Sequence, residues 1–393
     1  MIAPLMPTYG DRDIAFEKGE GPYLFASDGR RFLDFGGGIA VTALGHAHPG
    51  LVAALQDQAG RLWHTSNLYN IPNQERAGRR LTENSFADTV FFCNSGLEAI
   101  ECGIKLVRKH YADKGEPERF RIITVEGCFH GRSLASIAAS GQEKLYKGFG
   151  PVTEGFDQVA FGNLNELRAA VTGETCAILV EPVQGEGGIR PMSADYLKGV
   201  REICDEFGLL MFLDEVQCGM GRTGKLFAYE WSGIRPDVMA LAKGLGGGFP
   251  VGACLATEEA ASGMVAGTHG STFGGNPLAT AVVNAVLDAL LAEGFLDNVQ
   301  ARAADLHGRL EALAARYPDT ILEVRGAGMM VGLRTGPANG DFVGELRRQG
   351  LLAVPAGENV VRLLPPLVVE DSHIGEAVGM VEGACREFAA AAA

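Results

Sequence analysis

The chain has 393 residues, 47% of them hydrophobic and 21% charged, which is enough apolar material for a large core and excludes a disordered chain. Its 34 Lys and Arg against 48 Asp and Glu leave a formal charge of −14, which works against non-specific binding to nucleic acid or anionic lipid. No apolar run approaches the roughly 20 residues that cross a bilayer, and residues 1–21 lack the basic start and apolar stretch of a secretory signal.

In chain order, the first fifty residues read as strands and turns. Thr89–Cys93 and Arg121–Val125 follow as short β-branched or aromatic runs, then residues 176–181, 209–214 and 238–242, all predicted to be buried strands. Between two of these, Ala194–Phe207 carries Leu197, Val200, Ile203, Cys204 and Phe207 on one helical face, with Gly208 as its stop. Such alternation predicts a mostly parallel sheet covered by helices, with ligands beyond the carboxyl ends of its strands. A long helical pattern spans residues 278–317, and residues 321–393 mix strand and helix signals, closing on a fraying Ala-rich end. The expected organisation is an N-terminal segment, 1–50, joining a small domain, a large α/β domain over 51–295, and a linking helix with the C-terminal small domain over 296–393. The eight cysteines are scattered, none in a C-x-x-C pair, so a metal site is not expected and a reducing, cytoplasmic setting is.

Four places carry candidate chemistry. Asn94-Ser95-Gly96-Leu97-Glu98 follows a strand and opens a helix. Its free N–H groups suit a phosphate, while Ser95-x-x-Glu98 also fits a capping box, and the two readings are compatible. Gly96 is expected to let the backbone approach an anion closely. Asp214, at a strand's carboxyl end, suits the protonated nitrogen of a pyridine ring or the cap of the next turn. Phe129 is either a ring-stacking aromatic or a core residue, and Arg132 either a carboxylate ligand or a surface residue. Lys243 closes an apolar strand ahead of a Gly-rich turn. Burial there lowers an amine's pKa and makes it nucleophilic, unless it reaches solvent. The glycines lack the G-x-G-x-x-G order, and no Walker A motif occurs, which argues against a nucleotide site.

These elements, with Gly38–Pro49, Glu181–Gly188, Asp214–Gly224, Ala242–Pro250 and Gly270–Pro277, resemble over nearly the whole chain the class III (subgroup II) pyridoxal-phosphate aminotransferases of fold type I, nearest to the acetylornithine group. The resemblance implies pyridoxal 5'-phosphate as cofactor, carried as a Schiff base on Lys243. It implies Asp214 at the ring nitrogen, Gln217 near the ring hydroxyl and Phe129 stacked on the ring. Ser95, Gly96 and Leu97 would cradle the phosphate, with Ser271 and Thr272 reaching it from a neighbouring subunit of a homodimer. Arg362 would grip an α-carboxylate, Glu186 would mask that arginine, and Arg132 and Ser271 would contact substrate. His46 and His48 are read as turn or packing residues. The implied reaction moves the δ-amino group of N2-acetyl-L-ornithine to 2-oxoglutarate, giving N-acetylglutamate 5-semialdehyde and glutamate, a step of arginine biosynthesis. Succinylornithine, ornithine, succinyl-diaminopimelate or 4-aminobutyrate are the alternative amine donors, and an aminomutase or a decarboxylase shares the fold. One position departs from the pattern: the family's usual residue at 97 is Thr or Ala, and Leu97 has no hydroxyl to offer a phosphate.

Overall fold

The structure is a computed structural model and describes residues 4–10 and 13–392. Its centre is a seven-stranded sheet in the order Thr89–Cys93, Gly252–Ala256, Val238–Leu241, Leu210–Asp214, Thr175–Val180, Arg121–Val125, Phe156–Val159. Five neighbouring strands, from Val238–Leu241 to Phe156–Val159, run parallel, and Gly252–Ala256 alone runs antiparallel to both neighbours. The α/β class and mostly parallel sheet expected from the strand–helix alternation are thus present. The periodicity did not single out Phe156–Val159 or Gly252–Ala256, short strands of four and five residues. Every residue of Thr175–Val180, Leu210–Asp214 and Val238–Leu241 is buried, as strands covered on both faces must be.

Helices cover the sheet for reasons visible in their sequences. Gly96–Asp113 buries Ile100, Ile104 and Val107, and Gly103 lies against the ring of Phe212 on a central strand. Ala194–Phe207 starts at Ser193, whose hydroxyl accepts from the Tyr196 N–H, and ends at Gly208 in the left-handed region, φ +59°. The single long helix expected over 278–317 is two helices, Pro277–Leu290 and Phe295–Arg316, bent by 71°. The apolar pattern runs on across the break, but Gly294 takes φ +74° and starts a new helix there. No single helix among the described residues is long and apolar enough to cross a membrane.

The two chain ends meet. Arg31–Asp34 pairs in parallel with Leu351–Leu352, extending the hairpin of Phe16–Glu20 and Tyr23–Ala26. An antiparallel sheet of Ile321–Ala327, Met330–Thr335, Val360–Leu363 and Val354–Ala356 lies beside it in sequence and carries Arg362. The loop after Arg31–Asp34 is a left-handed turn in which Gly37, Gly38, Ile39 and Ala40 have φ between +54° and +66°. For a β-branched residue such as Ile39 that conformation is strained. Asp34 holds the turn: one oxygen accepts from the Gly36 and Gly37 N–H groups at 3.0 and 2.9 Å, and the other sits 2.8 Å from His46 Nε2. His46 is therefore a turn-fixing residue.

Gly103→Ala tests the packing of helix on sheet. Its added Cβ falls 2.1 Å from Phe212 Cζ, so the helix must lift or the ring must turn. The expected cost is about 1–3 kcal/mol, read by urea unfolding, and Phe212→Leu should recover part of it.

Candidate functional site

The parallel strands all end on one side, and neighbouring strands deliver titratable side chains there. The loop after Arg121–Val125 carries Phe129, His130 and Arg132. Glu181 follows Thr175–Val180, Asp214 ends its strand, and Lys243 comes two residues after Val238–Leu241. All six line one cavity of about 500 Å³, with Asn94, Ser95, Gly96, Leu97 and Gln217 around it. That is a usual size for a cofactor or substrate site, and the walls are largely apolar.

Lys243 is partly buried, with a backbone φ of +44°, rare for a residue with a side chain. Such strain persists where surrounding structure enforces it, and the short 3-10 turn Lys243–Leu245 does so here. Burial lowers the Lys243 pKa; Glu186 and Asp214 raise it and Arg362 lowers it further. The net direction is downward, towards a neutral amine. Asp214 is buried; one oxygen accepts from the Val216 N–H at 3.0 Å and the other lies 2.7 Å from His130 Nδ1. His130 is buried too. Burial opposes its charge, but Cys128 and the hydrogen-bonded Asp214 raise its pKa well above the usual value.

At the other end of the cavity stands the first turn of Gly96–Asp113. Ser95 Oγ accepts from the Glu98 N–H at 3.2 Å, and the Glu98 carboxylate accepts from the Asn94 N–H at 2.6 Å, so the cap is formed. The N–H groups of Gly96 and Leu97 are left with no partner among the described residues, as a phosphate cradle requires. Gly96 has a further reason to be glycine: a Cβ there would lie 2.7 Å from Val216 Cγ1, so glycine lets the helix end close on the strand–loop carrying Asp214. Leu97 turns its side chain to Gly131, whose hypothetical Cβ would meet Leu97 Cδ1 at 2.8 Å.

Arg362 is fully buried and paired with Glu186 through two bonds, Nη1–Oε1 at 2.7 Å and Nη2–Oε2 at 3.1 Å. Its Nη2 also donates to the Pro355 carbonyl, and its Nη1 lies 3.5 Å from Gln217 Oε1. Arg132 is exposed at the cavity rim, its guanidinium carbon 5.7 Å from the Phe129 ring centre. Ser271 and Thr272 are not brought into this cavity. They line a separate cleft of about 380 Å³ with Glu98 and Glu101, where Ser271 Oγ bonds Asn94 Nδ2 and the Gly274 N–H.

Sequence reasoning gave no role to His130 or Glu181. The signal available was a titratable residue at, or a few positions past, the end of a predicted strand. With Asp214 they bring potential metal-ligating atoms within 4.8 Å of one another. Zinc ligands at about 2.0–2.1 Å from a tetrahedral ion stand more than ~3 Å apart, whereas His130 and Asp214 are 2.7 Å apart, the separation of a shared proton.

The chain matches the family described as aminotransferase class-III over residues 7–385. It is 58% identical over 389 residues to the acetylornithine aminotransferase of Mesorhizobium japonicum, covering 99% of this chain and 98% of that one. The structure of the N-acetylornithine aminotransferase of Stenotrophomonas maltophilia is similar, with TM-score 0.86 and 38% identity over 98% of this chain and 99% of that one. So is an ornithine aminotransferase of Toxoplasma gondii whose active site holds PLP at partial occupancy, with TM-score 0.92 and 31% identity over 96% of this chain and 91% of that one.

Gly96→Ala tests the anion cradle. Pushed off Val216, the helix end should bind inorganic phosphate and pyridoxal phosphate roughly tenfold more weakly, about 1.4 kcal/mol. Val216→Ala in the same chain makes room for the methyl group and should restore most of the affinity, measured by fluorescence titration of the cofactor-free protein.

Proposed function

The chain belongs to the class-III aminotransferases, and on that premise we propose that it moves the δ-amino group of N2-acetyl-L-ornithine to 2-oxoglutarate, releasing glutamate. Its cofactor is pyridoxal 5'-phosphate. The side chains present fit that group: unpartnered N–H groups at a helix end for the phosphate, Phe129 as an aromatic wall, Asp214 for the ring nitrogen and Lys243 for the aldehyde carbon. When bound, the cofactor supplies an electron sink for negative charge at the carbon bearing the amine.

The protein's own part follows from its side chains. Asp214, fixed by Val216 and His130, holds negative charge opposite the ring nitrogen. Lys243 Nζ, made less basic by burial, takes the proton from the amine-bearing carbon and returns it. Ser95, Gly96 and Leu97 hold the phosphate, Gln217 the ring hydroxyl. Arg362 binds the distant carboxylate of the acylated diamino acid, Glu186 masks or frees it for the shorter dicarboxylate, and Arg132 at the rim contacts the acyl end. The observation that carries the reading is the doubly bonded pair of buried Arg362 and partly exposed Glu186, whose charges both act on Lys243, a carboxylate grip already shaped by a carboxylate.

A homodimer with shared sites belongs to the same proposal. Ser271 and Thr272 sit outside their own chain's cavity, and Trp63, Leu68, Tyr69 and Phe273 are exposed large apolar side chains that a second copy would cover. Eight buried, unpaired thiols suit a reducing cytoplasm, and the proposed reaction is a step of arginine biosynthesis.

Lys243→Ala should abolish cofactor retention and turnover; near-normal transamination in that variant would refute the assignment. Arg362→Ala should raise KM for acetylornithine and 2-oxoglutarate by roughly two orders of magnitude, the loss of a bidentate charged pair of about 3 kcal/mol. Comparing kcat/KM for acetylornithine, succinylornithine, ornithine and 4-aminobutyrate decides the donor, and a preference for any of the last three removes acetylornithine as the substrate. Mixing Lys243→Ala with the Ser271→Ala, Thr272→Ala double variant should rebuild roughly a quarter of the sites by subunit exchange. No recovery after refolding the two together would mean that sites are not shared.

A further inference from the structure

Glu181 has no part in the roles assigned so far, yet its surroundings are specific. It is buried one residue past Thr175–Val180, the strand that lies in the sheet between those leading to Asp214 and His130. An atom from each of the three lies within 4.8 Å of the others. Asp214 has the donors an ionised carboxylate needs, from Val216 and His130. Glu181 has only a long contact at 3.4 Å from the Phe129 N–H to Oε1, and its Oε2 is buried with no partner. His130 Nε2, on the ring that serves Asp214, is likewise buried and unpartnered. Two ionised carboxylates this close, with donors enough for one, repel strongly where water is excluded. The groups facing Glu181 are His130, Asp214, Lys243, the Cys218 thiol and the Phe129 N–H; His130 and Lys243 act to lower its pKa, but neither gives it a hydrogen bond, and burial and Asp214 outweigh them.

We propose that Glu181 is a positioning residue for the proposed chemistry: a neutral buried acid whose retained proton leaves Asp214 as the one negative charge opposite the cofactor's ring nitrogen. The proposal rests on reading the cavity as the cofactor site. Glu181 acts through neighbours in two ways. Its proton keeps a second charge away from Asp214 and His130, and its Oε1 accepts from the backbone of Phe129, which walls the ring position. Burial, with the charge of Asp214 adding to it, moves the Glu181 pKa up to about 8, in keeping with that state.

The test uses Glu181→Gln, which keeps the shape and neutrality but cannot ionise. In the cofactor-free protein the folded chain holds a proton on Glu181 that the unfolded chain releases above its ordinary pKa of 4.5. Glu181 therefore withdraws stability from the wild type as pH rises from about 5 to 8, and the loss levels off above 8. Glu215, also raised to about 8 by burial, gives the same slope in both proteins and cancels in the difference. The melting temperature of the variant minus that of the wild type should climb across this range and then flatten. A constant difference from pH 5 to 9 overturns the proposal. With cofactor bound, the wild-type absorption spectrum should change with pH, the change should be absent from Glu181→Gln, and Glu181→Asp should move its midpoint. Equal midpoints in all three proteins also overturn it. If the wild type takes up no cofactor, the reading of the cavity falls, while the cofactor-free melting series still decides where the Glu181 proton sits.

Discussion

The 2.7 Å bond between His130 and Asp214 is the contact on which the rest of the site depends. It joins the ends of two strands that are not neighbours, with the Glu181 strand between them. A lone carboxylate in that position would lose its charge, because burial penalises the ionised form by several kcal/mol. Asp214 instead has hydrogen-bond partners in His130 and the Val216 N–H. Lys243 then has an anion across the cavity, while its own burial weakens its basicity. An electron-withdrawing ring and a poorly basic amine both follow from placing charges where water does not reach.

Much of this was legible in the sequence, because it depends on local pattern. A lysine after an apolar strand, a carboxylate at the end of another and a Ser-x-x-Glu cap ahead of a helix are signals within ten residues. The structure places Lys243, Asp214 and the Gly96 turn around one cavity. Glu181 and His130 were not legible as a cluster. They are about fifty residues apart in the chain, and only the order of strands in the sheet makes them neighbours of Asp214. The break at Gly294 was hidden for the opposite reason: the apolar period continues through it, so a local pattern suggested continuity that a left-handed glycine interrupts. The Ser271 and Thr272 positions lie off the cavity of their own chain, and no pattern within one chain says whose site they serve.

Backbone strain is concentrated beside the site. Lys243 has φ +44°, and the turn at Gly37–Ala40 forces Ile39 and Ala40 into the left-handed region. Each such residue costs roughly 1–3 kcal/mol. The Gly37–Ala40 turn is held open by Asp34, and it delivers Val41 to the cavity wall. The segment after Arg362 closes over the same turn, through the Leu364 N–H on Phe35 and the Leu367 N–H on Ala43. Strain in one chain end is therefore balanced by hydrogen bonds from the other, which ties the carboxylate grip to the cavity wall.

Two fully buried arginines solve the problem of a charge away from water in different ways. Arg222 has no carboxylate partner among the described residues; it donates to the carbonyls of Met329 and Pro365, and burial draws its pKa down to about 10. It is a fixed clasp between the Asp214 loop and the strands around Arg362. Arg362 spends its two terminal nitrogens on Glu186, whose side chain is about one-third exposed. On the proposed role of Arg362, a substrate carboxylate would replace one bidentate carboxylate with another, and Glu186 would turn out to water rather than into a second buried place. Such an exchange would leave the buried guanidinium paired before and after, so its cost would be that of turning one partly exposed side chain. Arg222, bonded to the Met329 and Pro365 carbonyls, ties together the backbone that carries both ends of this arrangement.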